Sequence, residues 1–206
     1  MKRILRVIAL AALVLLGGAT GSGATPTVLR MATTVDPPGL NPLVFDNAEV
    51  TYLSPLVHGF LLRTDADGRL IPDLATEVPT VRNGGISRDG KTVTYHLRRG
   101  VQWQDGVPFD ARDVVFSFHA ALDPRTNVPD RTGFDHLSAI TELDPYTVRV
   151  RLTQPFTPFV PSCFTMAAND PYPILPEHVL AKDPDINRSD YNAKPIGLGP
   201  YRVVSW

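Results

Sequence analysis

Eight residues of the sequence satisfy the pattern of a phosphate-binding loop. Residues 85–92 read GISRDGKT, which fits G-x-x-x-x-G-K-T. Such a loop holds phosphates only when a buried strand precedes it and the N-terminus of a helix follows it. Here no apolar run comes before the loop, and the alternation from Thr92 to Leu97 predicts a strand after it. Asp89 would also bring negative charge to the phosphates, so we expect no nucleotide to bind.

Other residue types that support catalysis or metal binding do not form a recognised pattern. The sequence has neither G-x-S-x-G nor H-E-x-x-H, and its acid pairs at 65/67 and 183/185 have a spacing that turns commonly use. Cys163, the single cysteine, stands between apolar neighbours and is expected to be a buried small hydrophobe. The histidines, at 58, 96, 119, 136 and 178, lack metal-ligand spacing. We therefore expect no catalytic residue, no metal site and no cofactor.

A proline-rich segment is the better candidate for binding a small molecule. Residues 35–42 read VDPPGLNP, and we call them the proline loop. Its prolines exclude a regular helix or strand, and a stiff loop loses little entropy when it holds a ligand. Two adjacent prolines remove two N–H donors, which leaves carbonyl oxygens and the Asp36 carboxylate to bind. The same composition also suits a loop that only closes a domain, and the sequence leaves both interpretations open.

Short elements are predicted around this loop. Residues 28–33, VLRMAT, are expected to form a strand that enters a core. Alternation predicts a strand over residues 146–152, with Val148, Val150 and Leu152 inward and Arg149 and Arg151 outward. Helical spacing covers residues 47–59, and DADG at 65–68 predicts a hairpin turn. Proline at 176 predicts a short helix over 177–182, and a strand is expected over 201–206.

Residues 89–117 contain the fullest set of structural signals, and we call them the signature. The predicted strand is followed by a short aromatic element at 101–103, a turn at 105–106 and a helix that opens at Ala111. Asp110 is placed to accept from the backbone at the start of this helix, with Asp113 in its first turn. We expect three aromatic side chains to pack in the core: Tyr95, Trp103 and Phe109.

The signature resembles the extracellular solute-binding proteins of family 5, receptors that deliver peptides, and in some members nickel or other small solutes, to ABC importers. Their shared pattern is close to D-G-K-x-x-T-F-x-L-R-x-G-V-K-W-x-D-G-x-P-x-x-A-x-D-V-V-x-S, and Gln102 stands where Lys is usual. The resemblance continues in the proline loop, in IPDLAT at 71–76, in ILPEHVL at 174–180 and in GLGPYRVVSW at 197–206.

The resemblance implies a mixed α/β (α+β) fold. The expected unit is the N-terminal lobe of a two-lobed, type II-like periplasmic binding protein, with the second lobe absent from these 206 residues. Residues 25–57 and 171–206 would form a split part of the ligand-binding lobe, and residues 58–170 an inserted mixed α/β domain. By the same resemblance, Thr34, Val35, Asp36 and Pro37 line the cleft, and Phe134 lies over the ligand.

The first 24 residues are typical of a cleavable signal peptide. Lys2, Arg3 and Arg6 precede an apolar run over residues 7–16, and small residues follow at 21–24. The run is too short to span a membrane, which takes about 20 apolar residues, although a permanent N-terminal anchor stays a second interpretation. No cysteine follows it for lipid attachment, so a free periplasmic protein is expected.

Charge argues against nucleic acid as a partner. Losing the three cations of the signal peptide would change the formal charge of −1 to −4, and the only basic cluster is Arg98–Arg99. Taken with the resemblance, the sequence predicts a monomeric periplasmic substrate-binding component of an ABC transporter, not an enzyme. It would capture short peptides by hinge closure and deliver them to the permease. The alternatives are a receptor for nickel, haem or sugar, and an exported hydrolase.

Overall fold

The structure is a computed structural model that describes residues 30–166 and 171–206. The predicted signal peptide and the start of the strand predicted over 28–33 lie outside the described residues. The chain divides into residues 1–34 and residues 35–206, each described by itself. In the first unit, residues 30–33 form no strand, so that prediction is wrong for its described part. A segment this short does not specify the partner strand that a strand requires.

Helix α1, Ala48–Val57, confirms the helix predicted over residues 47–59. Its N-cap is Asn47, whose side-chain oxygen accepts a hydrogen bond from the backbone N–H of Val50 at 2.9 Å. Val50 and Val57 are buried, and the helix ends at His58, which is also buried. The helix therefore delivers an imidazole into the interior at its C-terminal end.

The first sheet contains the predicted hairpin. Strands β1, Leu62–Thr64, and β2, Leu70–Pro72, are antiparallel. The Asp65 carboxylate closes their turn by accepting from the backbone N–H groups of residues 67 and 69. A two-residue strand, Thr165–Met166, pairs parallel to β1, so the order is β2-β1-β6.

The second sheet is antiparallel and contains β3 (Thr92–His96), β4 (Leu137–Asp144) and β5 (Thr147–Leu152), in the order β3-β5-β4. Strands β3, Thr92–His96, and β5, Thr147–Leu152, confirm two predictions, and β5 buries Val148, Val150 and Leu152 as expected. Strand β4, Leu137–Asp144, was not predicted. Register shifts near both of its ends break the alternation that identifies a strand in a sequence.

Helix α2, Ala111–Leu122, opens with the predicted cap. The side chain of Asp110 accepts from the backbone of the first turn, and the side chain of Asp113 accepts from the N–H of Asp110, which forms a capping box. Shorter helices complete the chain: α3 at Phe159–Ser162, α4 at Glu177–Leu180, and 3-10 turns at Phe134–His136, Ile186–Arg188 and Asp190–Asn192. Helix α4 is shorter than predicted because Ala181 already caps it.

Residues 201–206 form no strand, so that prediction is also wrong. The backbone N–H of Tyr201 donates to the carbonyl of Leu56, but one hydrogen bond does not make the repeated pairing that defines a strand.

One hydrophobic core joins both portions that the sequence separates into domains. The cluster includes Leu43, Leu180 and Tyr191 together with Trp103 and Phe118. Tyr95, Trp103 and Phe109 are all buried in it, as predicted, and so is Cys163. The fold is mixed α/β as expected. No helix among residues 30–166 and 171–206 is long and apolar enough to cross a membrane.

Candidate functional site

The proline loop is exposed at its start and buried at its base. Val35 is 57% exposed and Asp36 is also exposed, whereas Pro37 and Leu40 are buried. Within the described part of the chain, no hydrogen bond or ion pair is recorded for the Asp36 carboxylate. Thr34 is exposed and belongs to the preceding unit. The loop therefore presents the exposed Asp36 side chain from a buried base.

A buried histidine holds the base of the loop. His58 Nε2 lies 2.8 Å from the carbonyl oxygen of Leu40, and since a carbonyl only accepts, Nε2 must carry the proton. The ring is 2% exposed. Desolvation, opposed in part by this hydrogen bond, lowers the pKa of His58 to about 4. His58 is therefore a neutral donor near pH 7.

Two buried asparagines fix the other side of the loop base. Asn41 Nδ2 donates to Asn192 Oδ1 at 2.9 Å, and the N–H of Leu40 donates to the Asn192 carbonyl at 2.7 Å. Asn41 Oδ1 accepts from the N–H of Leu43, and Asn192 Nδ2 donates to the Ile186 carbonyl. Buried amides with satisfied partners make a segment rigid. The proline loop is thereby tied to the 3-10 turn at Asp190–Asn192.

These anchoring residues were missed by sequence reasoning. His58 was considered only as a metal ligand, and Asn41 and Asn192 are separated by 151 positions. The sequence contains no signal that pairs two single amides over such a distance. The proline loop itself was visible because proline restricts the local backbone wherever it occurs.

The structure places Phe134 inside the core. Its ring is fully buried and makes edge-on contacts with Phe164, Tyr172 and Phe118, at centroid distances of 5.5, 5.2 and 6.0 Å. Gly133, at φ 93°, starts the 3-10 turn that contains this ring. In this structure Phe134 is not presented to a ligand beside the exposed residues of the proline loop.

The acid in the middle of the signature is structural. Asp113 is 4% exposed, and its Oδ2 accepts from Trp103 Nε1 and from the N–H of Asp110, both at 3.1 Å. Its Oδ1 accepts from the N–H of Glu177 at 3.0 Å. Burial raises the pKa of Asp113, although these hydrogen bonds oppose the shift. The carboxylate therefore joins the signature loop, α2 and α4.

Gln104 joins the signature to residues 197–202. Its Oε1 accepts from the N–H of Gly197, and its Nε2 donates to the carbonyls of Gly199 and Tyr201, the second at 2.7 Å. Its own backbone carbonyl accepts from Arg202. The side chain acts as donor and acceptor at once, which only an amide of this length provides here.

The two glycines of this segment are required for close approach. Neither glycine has a positive φ. A Cβ on Gly197 would overlap the carbonyl oxygen of Val57, and one on Gly199 would lie 2.6 Å from that of Leu56. The segment therefore lies directly against the C-terminal end of α1.

Residues 85–92 do not have the geometry of a phosphate-binding loop. Residue 86 bridges to Val93, and the N–H of Ser87 donates to the carbonyl of Thr92 at 2.9 Å, so the segment pairs with the edge of β3. The element that follows is strand β3, as predicted, and not a helix. Across the described ranges, no group of three or more His, Cys, Asp or Glu residues is placed to hold a metal ion.

Comparison with known proteins gives consistent results. The family model of the bacterial extracellular solute-binding proteins, family 5 Middle, matches residues 69–206. Protein XP55 of Streptomyces lividans is 38% identical over 146 residues, which are 71% of this chain and 24% of that protein. The glutathione-binding protein GsiB of Salmonella paratyphi A is 31% identical over 121 residues, or 59% of this chain and 22% of that protein.

Solved structures share the fold. NikZ from Campylobacter jejuni, in complex with Ni(L-His), is 32% identical with a TM-score of 0.71, over 84% of this chain and 32% of NikZ. The oligopeptide-binding protein AppA from Bacillus subtilis has a TM-score of 0.74 at 24% identity, over 84% of this chain and 33% of AppA, and shows likeness of fold alone. The chain thus spans about a quarter of its curated relatives and a third of these structures.

Proposed function

The chain belongs to the bacterial extracellular solute-binding proteins of family 5, and from this premise we propose that it forms the N-terminal, solute-capturing part of a receptor for an ABC importer. The observation that carries the proposal is the proline loop. It presents Asp36 to solvent on a base fixed by His58 and Asn192. A wall that is rigid before the ligand arrives loses little entropy on binding.

The solute that this surface fits best is a short peptide. In this proposal, carbonyl oxygens of the proline loop accept from peptide N–H groups, and the Asp36 carboxylate suits a peptide ammonium group through a charge-assisted hydrogen bond. Support comes from GsiB, which is 31% identical over its matched region, because glutathione is itself a tripeptide. Within this proposal, Thr34, Val35 and Asp36 contact the ligand, Pro37 stiffens the loop, and Phe134 supports the core behind it.

The remaining parts of the proposal concern the whole receptor. Residues 1–24 direct export to the periplasm, residues 25–57 with 171–206 hold the ligand, and residues 58–170 form the inserted domain. Closure of a second lobe about a hinge completes the site, and the closed form is recognised by the permease. The protein acts as a monomer without catalysis. One lobe supplies one wall of the cleft, so we expect the 206 residues alone to bind peptide very weakly.

A second candidate ligand is a nickel chelate, favoured by the 32% identity to NikZ in complex with Ni(L-His). When a metal is already bound by an amino acid, the protein does not have to supply a set of metal ligands. Backbone groups and a carboxylate that contact the amino acid are then sufficient. The proline loop offers such contacts as readily as it offers them to a peptide.

A thermal-shift screen of the complete gene product separates these candidates. A ligand that binds only the folded protein raises its melting temperature, by an amount set by concentration over Kd. The screen contains di- to pentapeptides, glutathione, nickel with histidine, haem and oligosaccharides. A shift with peptides supports the proposal. A shift only with nickel–histidine, haem or sugar refutes the peptide assignment, and no shift from any of them refutes the receptor.

A further inference from the structure

The outer face of the second sheet carries two arginines on its central strand. Val148 and Val150 of β5 are buried, so Arg149 and Arg151 lie on the opposite face, where the first is half-buried and the second exposed. Alternate residues of a strand are about 7 Å apart. Their cross-strand neighbours are small or hydroxylic residues: Thr92, Thr94, Ala139 and Thr141.

The positions paired directly with these arginines hold no acid. Neither guanidinium forms an ion pair or side-chain hydrogen bond in the described ranges. Glu142 pairs with Val148 and so lies on the other face of the sheet. Asp144 stands at the turn end, where its charged neighbours are Arg99 and His96. The middle of the face is therefore purely cationic.

This arrangement gains no stability from charge pairs across the strands. A pair of strands is stabilised when a positive residue on one strand faces a negative residue on the other. Two like charges on one strand without such partners repel each other. The chain has 21 acidic residues against 20 Lys and Arg, so acids are not scarce, yet none occupies a position paired directly with these two arginines. Unpaired guanidiniums with hydroxyl neighbours form a surface suited to binding carboxylates, which arginine can hold through two parallel N–H bonds.

We propose that this face, defined by Thr92, Thr94, Thr141, Arg149 and Arg151, is a docking surface for an acidic segment of a partner protein. An extended segment with carboxylates at alternate positions repeats the spacing of the two arginines. The surface lies on the sheet and not on the proline loop, so this inference does not depend on which solute is captured.

Two other occupants fit the observations less well. Attraction to an anionic membrane surface contributes about 1 kcal/mol of binding free energy for each arginine, so two arginines contribute only about 2 kcal/mol. A second copy of the same face would bring arginines against arginines about a two-fold axis, which is repulsive. A protein carboxylate surface is the occupant that charge complementarity selects.

The test uses the complete gene product at low salt and two probes. One is a fluorescent heptapeptide of alternating glutamate and threonine, and the other is a vesicle of phosphatidylglycerol. Binding is measured for the parent, for Arg149→Gln with Arg151→Gln, and for a control, Arg82→Gln with Arg188→Gln. The control removes the same charge from two other exposed positions.

We expect the heptapeptide to bind the parent and the control alike, and the Arg149/Arg151 variant at least tenfold more weakly. The variant should unfold at the same denaturant concentration as the parent or a higher one, since a repulsion is removed. The proposal is overturned if both double variants lose equal affinity, if only the vesicles bind, or if neither probe binds the parent. A clear drop in stability of the variant would assign the arginines to the fold instead.

Discussion

The imidazole of His58, at the end of α1, donates from Nε2 to the carbonyl oxygen of Leu40, 2.8 Å away, in the proline loop. One buried ring thus connects a helix to the loop that we propose as a wall of the binding site. Because the bond requires a neutral ring in a desolvated position, the loop base is sensitive to acid.

Acid should destabilise the protein through His58. Its folded pKa of about 4 lies below the ordinary value of 6.5, so below pH 6.5 the unfolded state binds a proton that the folded state does not. The contribution of the neutral His58 to the free energy of unfolding is fully present above pH 6.5. It is lost as the pH falls towards 4, and the total loss is roughly 3 kcal/mol. Urea unfolding at pH 7.5 and pH 4.5 measures this loss.

The variant His58→Gln should lose much less stability between those two pH values, because its amide donates without titrating. His119→Gln, at an exposed position, serves as the control and should keep the pH dependence of the parent. If the free energy of unfolding depended on pH equally in the parent and in His58→Gln, His58 would not be the cause of the acid sensitivity.

Asp113→Asn should be strongly destabilising although it is nearly isosteric. Both carboxylate oxygens accept from N–H donors, and an asparagine would turn its NH₂ towards one of them. A buried donor left without an acceptor costs about 1–3 kcal/mol. Denaturant unfolding measures the effect. The control is Asp67→Asn at an exposed position, and its free energy of unfolding should lie within about 0.5 kcal/mol of that of the parent. Similar midpoints for the two variants would contradict a structural role for Asp113.

Gln104→Leu should release residues 197–202 without unfolding the core. The substitution removes the donors to Gly199 and Tyr201 and the acceptor for Gly197, while keeping the side-chain volume similar. Hydrogen exchange should become at least tenfold faster in this segment and stay unchanged in β5. Gln102→Leu, at an exposed position of the same loop, is the control. Unchanged exchange after the Gln104 substitution would show that the glycine packing alone holds the segment.

Gly197→Ala should destabilise by more than about 3 kcal/mol, since its Cβ would overlap the Val57 carbonyl, which also accepts a hydrogen bond from the N–H of Gly199. Gly100→Ala is the comparison. Gly100 has open space around it but a φ of 74°, so alanine there should cost only about 1 kcal/mol. Thermal unfolding ranks the two variants, and the reverse order would refute the close approach.

Local signals in the sequence identified most of the fold. The hairpin at 65–68, the cap of α2 by Asp110 and the alternation of β5 each depend on neighbouring residues, and the structure confirms them. Strand β4 escaped prediction because its register shifts hide the alternation. The strand predicted over 201–206 was wrong because a local sequence cannot say whether a partner strand exists.

In the candidate site, too, the sequence predicts the features that depend on neighbouring residues and not those that depend on distant ones. The proline loop could be predicted since proline acts through its own backbone. Its supports could not, because the bond between Asn41 and Asn192 joins positions 151 apart. The expectation for Phe134 came from the resemblance alone, and the burial of its ring in the core depends on the turn that Gly133 starts.

Equilibrium titration of the complete gene product with the best peptide from a di- to pentapeptide library tests the central proposal most directly. The comparison is between the parent, Asp36→Ala and the exposed control Asp46→Ala. We predict micromolar or tighter binding by the parent, at least tenfold weaker binding by Asp36→Ala, and no change for Asp46→Ala. Unchanged affinity in Asp36→Ala, or no peptide binding by the folded parent, would contradict the proline loop as the peptide-binding wall.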